Sequence, residues 1–392
     1  MKKLSESAMN IDGQPMFKLL DRARQLEAQG KSILHFEIGD PDFRTPDNII
    51  RAASDAMQNG LTHYTSSLGM PDFRKAICKA TKNSRGFEPH IDQVLVTPSA
   101  NIAIFYAVFC LVDRGCEVIV PDPGFPSYYS TIKMCGAVPV RVPLREENGF
   151  RMNPADVEAR ITDKTRLIII NSPQNPTGSV MTAEEIRDIY RLAEKYDLYL
   201  YSDEIYARMI YEAGFYSPSA FDHCKERTIV SNGFSKAFAM TGWRLGAVVG
   251  PTEVIERMGL LLQTTSSCVS PFIQVAGIEA IAGDQAPVRA MMDEYRARRD
   301  LLVNGLNTVP GFSCQMPGGA FYAFCNIKGT GMPSEVIANY LLEDAGVAVL
   351  PGTNFGEYGE GYIRLCYASS KSDISEAIAR IRASMERKRA KQ

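Results

Sequence analysis

Short apolar runs separated by amphipathic stretches dominate the first two thirds of this 392-residue chain. Seven runs are rich in β-branched residues and too short for helices, which is typical of buried strands. They cover residues 94–97, 117–120, 138–142, 167–171, 198–202, 228–230 and 245–249. Because helical periodicity separates several of them, notably at 183–196, the pattern predicts a mostly parallel sheet with helices on both faces.

The chain before and after this region has a different pattern. Helical spacing at 15–29, 46–59 and 71–83 surrounds a short extended segment at 33–38. From residue 252 the pattern becomes helical, and a long helix is predicted at 288–306. Short strands at 312–316, 320–325, 347–350 and 362–367 then alternate with helices at 334–343 and 372–388. We therefore expect a large domain at 46–285 and a smaller α+β domain at 286–392, which the N-terminal segment 1–45 joins.

Composition excludes several classes of protein. The formal net charge of −2 provides no basic field for nucleic acid. The longest uncharged apolar run, 102–112, is half of the roughly 20 residues that a membrane span needs, and no signal peptide is expected at the start. Nine cysteines without a Cys-x-x-Cys pair indicate reduced thiols in a cytoplasmic protein and no zinc site. The basic residues 387–391 are interpreted as the solvated end of a last helix.

Candidate chemistry centres on residues 231–246, where Lys236 and Arg244 lie among small and apolar residues after a strand. A desolvated lysine gives up its proton more easily, and the neutral amine can form a Schiff base with a carbonyl. An arginine nearby would suit the phosphate of a cofactor that carries this carbonyl. The alternative is a surface lysine beside an ordinary arginine ion pair.

Further polar residues follow the predicted strands, where open α/β sheets bind ligands. Asn175 follows the strand at 167–171, and Asp203 follows the next strand, although an aspartate there can also be a helix cap. The strand at 94–97 leads through Ser99, Ala100 and Asn101 into an apolar helix, an arrangement that can cradle phosphate. Neither Gly-x-Gly-x-x-Gly nor Gly-Lys-Ser/Thr occurs there, so the usual dinucleotide and P-loop interpretations lack support.

The ordered set Asn-Pro-Thr-Gly (175–178), Asp-x-x-Tyr (203–206), Ser-Lys (235–236) and Gly-Trp-Arg-x-Gly (242–246) resembles the class I/II aminotransferases. The resemblance runs from Gly39 to Arg364. It implies an α/β fold of pyridoxal-phosphate fold type I: a large cofactor-binding domain with a mostly parallel, seven-stranded-type sheet between helices, and a smaller α+β domain. It also implies a transaminase that uses pyridoxal 5'-phosphate.

The resemblance further implies a role for each matching residue. Lys236 would hold the cofactor as a Schiff base and then move the Cα proton, and Asp203 would keep the pyridine nitrogen protonated. Tyr206 and Asn175 would hydrogen-bond the ring oxygen. Arg364 would grip the substrate carboxylate, near the backbone of Gly39. Phe125 would stack on the cofactor ring, and Tyr64 would contact the phosphate from the neighbouring subunit. The phosphate would also be bound by Ser99, Ala100, Asn101, Ser235 and Arg244.

Taken singly, several of these residues have simpler interpretations. Phe125 could be a core residue, Tyr64 a surface aromatic and Arg364 an ion-pair partner. His35 and His63 lack a partner pattern for acid–base work, and we interpret both as structural or loop residues.

The motifs leave the outcome of the reaction open. Amino-group transfer between an α-amino acid and a 2-oxo acid and a β/γ-lyase reaction such as C–S cleavage begin in the same way. A non-catalytic cofactor sensor fused to a DNA-binding module is disfavoured by the charge and by the lack of a helix-turn-helix pattern before Gly39.

The resemblance also bears on assembly and on substrate. It implies a homodimer with shared active sites, through Tyr64 and the stretch 263–271. One branch of the aspartate-specific enzymes has a lysine at the position of Asn101, which helps to hold the distal carboxylate. Since Asn101 is uncharged, we expect an enzyme that is not strictly aspartate-specific and accepts neutral donors such as alanine or an aromatic amino acid. A cation from the partner subunit, Lys133 or Arg208 could still replace that lysine.

Overall fold

The computed structural model describes residues 4, 6–9, 11, 13 and 15–390. The strands of the large sheet are β2 (Val94–Thr97), β3 (Glu117–Asp122), β4 (Val138–Pro143), β5 (Thr165–Asn171), β6 (Tyr199–Asp203), β7 (Thr228–Gly233) and β8 (Gly246–Val249). Their order is β2-β8-β7-β6-β5-β3-β4. All neighbours are parallel except that β8 runs antiparallel to β2 and β7. The predicted α/β class with a mostly parallel sheet is therefore confirmed.

Helices cover both faces of this sheet, because its strands are apolar on both sides. Those of the first part of the chain are α1 (Glu6–Met9), α2 (Pro15–Ala28), α3 (Asp47–Gln58), α4 (Pro71–Arg85), α5 (Ala100–Leu111), α6 (Pro126–Met134), α7 (Pro154–Glu158), α8 (Ala183–Lys195) and α9 (Ser219–Asp222). Then come α10 (Thr252–Ser266), α11 (Pro271–Ala282), α12 (Ala286–Leu306), α13 (Ser334–Tyr340) and α14 (Lys371–Arg389). One buried cluster lies under α5 and α10, and another lies under α3, α4 and α11.

Two smaller sheets follow the long helix α12. Strands β9 (Ser313–Cys314), β10 (Tyr322–Asn326), β12 (Leu350–Pro351) and β13 (Tyr362–Cys366) form an antiparallel sheet in the order β12-β13-β10-β9. The N-terminal strand β1 (Leu34–His35) pairs in parallel with β11 (Val347–Ala348). A hydrogen bond of 2.8 Å from the Cys366 N–H to the Phe36 carbonyl also fastens the N-terminal segment beside β13. This segment thereby reaches the ends of the large sheet.

The helix α6 is absent from the elements that the sequence pattern predicts. Its nine residues, PSYYSTIKM, have too few aliphatic side chains for a helical period. Pro126 occupies its first turn, where the missing N–H costs nothing, and Tyr128, Tyr129 and Ile132 are buried. Tertiary packing therefore stabilises this helix, and this matters because Tyr128 contacts the candidate site.

The last helix ends in the predicted basic segment, although this end is not merely solvated. Arg387 forms an ion pair of 2.7 Å with Asp344, and the Lys388 ammonium lies 4.7 Å from the centroid of the Tyr340 ring. Lys391 lies outside the described residues. Across the part of the chain that the structure describes, every helix is too short or too polar to cross a membrane.

Candidate active site

The amine of Lys236 is enclosed between the large sheet and the N-terminal segment. Lys236 lies three residues beyond the end of β7, and its Nζ donates a hydrogen bond of 2.7 Å to the Gly39 carbonyl. Desolvation is the main cause that lowers the pKa of Lys236 to about 8. No carboxylate of the described residues forms an ion pair with this amine. A lysine in this state is neutral far more often near neutral pH than an ordinary one.

Asp203 is the last residue of β6, the central strand of the large sheet. Asn171 and Ser231 are its register partners on the two neighbouring strands, so three polar side chains end at one edge. The Asp203 carboxylate accepts hydrogen bonds from the Tyr128 hydroxyl at 2.6 Å and from the Ile205 N–H at 3.2 Å. Burial raises the pKa of Asp203 to about 6, since these two donors offset the desolvation in part.

Arg364 is 1 % exposed and lies at the centre of the small antiparallel sheet, on β13. Its guanidinium donates to Asn175 Oδ1 at 3.0 Å and to the Glu37 carbonyl at 2.5 Å. Its carbon Cζ lies 4.4 Å from the ring centroid of Tyr322 and 4.8 Å from that of Phe355. The Nε atom has no hydrogen-bond partner, and no described carboxylate pairs with this arginine. A buried guanidinium without a counter-ion is costly, so this site favours an anionic ligand.

Hydrogen bonds link the loop after β5 to the end of β6. Asn171 Nδ2 donates to the Asp203 carbonyl at 3.0 Å, and the Asn175 N–H donates to Asn171 Oδ1 at 2.9 Å. The side-chain oxygen of Asn175 accepts a hydrogen bond from the Arg364 guanidinium. These contacts place Asn175 between the carboxylate at the end of β6 and the arginine of β13.

Two buried tyrosines form a hydrogen-bonded pair in the candidate site. The Tyr206 and Tyr322 hydroxyls lie 2.8 Å apart, and burial raises the pKa of both side chains, so both stay protonated. Any side chain at Gly39 would collide with the Tyr322 hydroxyl. The glycine therefore lets the N-terminal segment approach Lys236 and Tyr322 closely.

A pair of glycines brings the Lys236 segment against the start of α5. Gly233 and Gly246 are register partners at the ends of β7 and β8. A Cβ atom on Gly246 would lie 2.6 Å from the Ala100 nitrogen, so the strand end packs directly on the helix N-terminus. Ser99 caps that helix, with its Oγ accepting from the Ile102 N–H at 3.3 Å. Free N–H groups at such a helix start suit a phosphate group.

The other residues that were predicted to bind the cofactor differ in how exposed they are. Ser235 is buried beside Lys236, whereas Arg244 and Asn101 are exposed, with Arg244 Nη1 donating to the Thr241 carbonyl at 2.7 Å. Phe125 is partly buried just before α6, with its ring centroid 5.6 Å from that of Tyr128. Tyr64 is 88 % exposed, and within the described part of the chain no hydrogen bond or ring contact joins it to the other predicted residues.

Three side chains of the site were not among the predicted residues. Tyr128, Tyr322 and Phe355 contact Asp203 or Arg364 directly. None of the three belongs to a motif that the sequence analysis used, so the sequence carried no signal that could identify them. Their roles depend on packing across long sequence separations.

His35, interpreted from the sequence as a structural or loop residue, lies between two carboxylates of the N-terminal segment. Its two ring nitrogens lie 2.7 Å from Glu37 Oε1 and 3.1 Å from Glu27 Oε1. The hydrogen bond with buried Glu37 is the largest cause that raises the pKa of His35 to about 9. His63 is exposed in the loop that also carries Tyr64.

The residues present fit pyridoxal phosphate. The group would need an amine for its aldehyde, an anion for its ring nitrogen and a cradle for its phosphate. Lys236 can supply the amine and Asp203 the anion. The start of α5, where Gly246 packs, can cradle the phosphate. The unpaired charges of Lys236 and Asp203 support this fit, because a bound ligand would supply the partners that the folded chain lacks.

Comparison with known proteins gives a consistent result. The family profile described as aminotransferase class I and II matches residues 31–381. The chain is 42% identical to an aspartate aminotransferase of Pyrococcus horikoshii, over 98% of this chain and 97% of the relative. It is 37% identical to aromatic-amino-acid aminotransferase 2 of Thermococcus litoralis, over 98% and 99% of the two chains. The solved structure of an alanine aminotransferase from Pyrococcus furiosus is similar with a TM-score of 0.94 at 32% identity, covering 98% and 100%.

Proposed function

The chain belongs to the class I and II aminotransferases, and from this premise we propose how its own residues carry out the reaction. The protein is a pyridoxal-phosphate-dependent aminotransferase, so the prediction of a transaminase is confirmed over the lyase and sensor alternatives. The observation that carries the proposal is structural. Asp203 and Arg364 are buried and Lys236 is partly buried, and none of the three has an ion-pair partner among the described residues.

Each unpaired charge has a distinct task in this proposal. Bound pyridoxal phosphate would supply an aldehyde for the substrate amine and a ring that can accept electrons. Lys236 would hold the cofactor through its amine and would move a proton at the substrate Cα, for which a pKa of about 8 is suited. Asp203 holds the proton on the ring nitrogen. Asn175 and Tyr206 donate to the ring oxygen.

Arg364 binds the α-carboxylate of the substrate, with Asn175 and the Gly39 backbone beside it. The Tyr322 and Phe355 rings both contact the guanidinium, which restricts its orientation before the substrate arrives. Phe125 stacks on the cofactor ring. Ser99, Ala100, Asn101, Ser235 and Arg244 bind the phosphate.

The assignment of Lys236 can be tested by reduction with borohydride followed by peptide mapping. We expect one labelled peptide that contains Lys236, and Lys236→Ala should lose both the covalent adduct and the half-reaction that yields the amino form of the cofactor. Lys195→Ala, a surface variant on α8, is the control. Labelling of a different lysine would refute the assignment.

We further propose a homodimer with shared active sites. Tyr64 and Leu61 are exposed on one loop, and Phe109 and Leu260 are exposed on α5 and α10, which pack against each other. Large exposed apolar side chains on neighbouring elements are typical of an interface. The exposed stretch 263–267 continues this surface. The proposed place of action is the cytoplasm, in amino acid metabolism, since all nine cysteines are free thiols.

Sedimentation equilibrium should give twice the chain mass for the holoenzyme. Tyr64→Phe should leave this mass unchanged and weaken retention of the cofactor on dialysis, because the tyrosine of one subunit would contact the phosphate of the other. An active species with the mass of one chain would refute the dimer.

The donor is proposed to be broader than aspartate, with glutamate and 2-oxoglutarate as the second pair. Asn101 is uncharged at the start of α5, and Arg364 accounts for one carboxylate. Of the alternative cations, Arg208 lines a separate cavity, and Lys133 lines a surface groove together with Arg141. The named relatives, which include aspartate, aromatic and alanine enzymes, cover this range.

Steady-state kinetics with aspartate, glutamate, alanine and phenylalanine test this breadth. We expect kcat/KM for a neutral donor to equal or exceed that for aspartate. A preference for aspartate of about a hundredfold over every neutral donor, equal to about 2.7 kcal/mol, would contradict the argument from Asn101.

A further inference from the structure

A cavity of about 380 Å³ lies beside the Lys236 segment but is separate from the candidate active site. Phe234, Ala237 and Phe238 line it, whereas Ser235 and Lys236 do not. The other walls come from the last turns of α4, the residues after β6, the ends of β7 and β8, and the end of α11. A volume of this size is typical of small-molecule sites in proteins.

The charges around the cavity do not balance. Its charged lining consists of Arg85, Glu204 and Arg208. Arg85 pairs with the buried Glu204 carboxylate through Nη2 and through Nε at 3.1 Å. The same carboxylate accepts hydrogen bonds from two serine hydroxyls. One carboxylate neutralises one arginine, so the lining keeps one net positive charge, which belongs to Arg208.

Arg208 has no hydrogen-bond or ion-pair partner among the residues that the structure describes. Its Cζ lies 5.3 Å from the ring centroid of Phe238, a cation–π contact. The residue is exposed, yet the protein around its guanidinium and the like charge of Arg85 lower the pKa of Arg208. Five N–H donors in a planar fork are thus presented at the cavity without an acceptor.

An unpaired acceptor belongs to Gln285, which lines the same cavity as Arg208. The Gln285 Nε2 atom donates to the Ala280 and Gly283 carbonyls, both at 3.0 Å, which fixes the orientation of the amide. Its Oε1 atom is buried without a hydrogen-bond partner. Arg208 and Gln285 also line a neighbouring groove together, so they lie at the same end of the cavity.

We propose that this cavity binds a small carboxylic acid with an apolar or aromatic body. The carboxylate would pair with Arg208, a neighbouring hydroxyl or amine would donate to Gln285 Oε1, and the body would lie among Ile77, Ile205 and Phe238. This arrangement satisfies the free guanidinium and the buried acceptor together, whereas each is costly alone.

L-phenyllactate combines these three features and is neither an amino donor nor a 2-oxo acid. Since Arg364 can also hold this carboxylate, we expect calorimetry on the holoenzyme to show one binding site per chain besides the active site, and Arg208→Gln should weaken this additional site at least tenfold. Ala80→Met, which fills the cavity from α4, should weaken it as well. Arg51→Gln, on the exposed face of α3, and Arg364→Lys should retain it.

Two related compounds test the chemistry without a mutation. 3-Phenylpropionate, which lacks the hydroxyl, should bind more weakly, and phenyllactamide, which lacks the charge, should not bind at this site. If Arg364→Lys abolishes all binding and Arg208→Gln leaves all binding unchanged, the acid binds only in the candidate active site and the proposal is overturned. Absence of binding up to about 10 mM would also overturn it. The measured quantity is heat of binding, so the result does not depend on the proposed catalytic roles.

Discussion

Asp203 and Glu204 are consecutive buried carboxylates with opposite surroundings. Glu204 meets the Arg85 guanidinium and two serine hydroxyls, so its charge is balanced inside the fold. Asp203 meets one tyrosine hydroxyl and one backbone N–H but no cation. Two buried arginines show the same contrast. Arg299 pairs with Glu212 and Asp300, whereas Arg364 has no carboxylate partner in the described part of the chain.

The difference separates charges that hold the fold together from charges reserved for a ligand. A paired buried charge has recovered its desolvation cost within the protein, so removing one partner destabilises the fold. An unpaired one still carries that cost until a ligand arrives, so removing it relieves the free protein and weakens binding. The two classes can therefore be told apart by measuring stability and activity on matched variants.

The largest expected effect comes from the two arginines. Arg364→Gln should lower kcat/KM for amino acid donors by on the order of 10²- to 10⁴-fold, since about 3–5 kcal/mol accompanies loss of a buried ionic partner. It should not lower the melting temperature of the apoenzyme. Arg299→Gln should do the reverse, with a melting temperature at least about 2 °C lower and kcat/KM changed less than about twofold. Equal losses of melting temperature in both variants would remove the distinction.

The next largest effect is expected from variants of Asp203 and Glu204. It concerns the free energy of unfolding of the apoenzyme. The pKa of Asp203 is about 6 in the folded chain against 3.8 in the unfolded one. The folded state therefore holds its proton longer, and stability falls as pH rises from about 4 to about 6. At pH 7 Asp203→Asn should be more stable than the wild type, by on the order of 3 kcal/mol.

Glu204→Gln is the matched variant and should be less stable than the wild type at pH 7, because Arg85 loses its charge partner. Urea unfolding at pH 4 and pH 7 measures both. Destabilisation of the apoenzyme by Asp203→Asn at pH 7 would show that Asp203 is a structural charge like its neighbour.

A smaller effect distinguishes the buried lysine from a surface one. The pKa of Lys236 is lowered to about 8, whereas the hydrogen bond that Lys195 donates to Glu158 raises the pKa of Lys195. Covalent capture of pyridoxal phosphate by the apoenzyme should rise about tenfold between pH 7 and pH 9, following the neutral amine of Lys236. Stopped-flow absorbance gives the rate, with Lys236→Ala as the control. A rate that keeps rising toward pH 10.5 would mean that the amine is not desolvated.

The smallest effect concerns a paired charge at the edge of the site. The pKa of His35 is raised from 6.5 to about 9, so its contribution to stability is complete below pH 6.5 and is lost as pH rises through about 9. His35 is partly exposed, which weakens the effect by screening. The melting temperature of the wild type should fall more between pH 7 and pH 9 than that of His35→Gln. Parallel curves would show that the pair with Glu37 contributes nothing.

The sequence by itself determined the order of the strands along the chain and the positions of the chemistry. Runs of β-branched residues located all seven strands of the large sheet, and the residues that follow them included Asn175, Asp203 and Lys236. These features are local, because a strand needs a short apolar run and a motif needs a fixed spacing. The family resemblance rests on the same short patterns, and the comparisons confirm it.

Tertiary structure alone decided which charges are paired. Three hydrogen bonds of the site and its surroundings join residues that are far apart in the sequence. Arg85 and Glu204 are 119 positions apart, Arg364 and Asn175 are 189 apart, and Lys236 and Gly39 are 197 apart. It also decided that Arg208 lies in a separate cavity and that the residues around Tyr128 form a helix. The physical reason is that desolvation and ion pairing depend on neighbours in space. Two adjacent carboxylates with similar sequence surroundings can therefore become one charge that holds the fold and one that awaits a ligand.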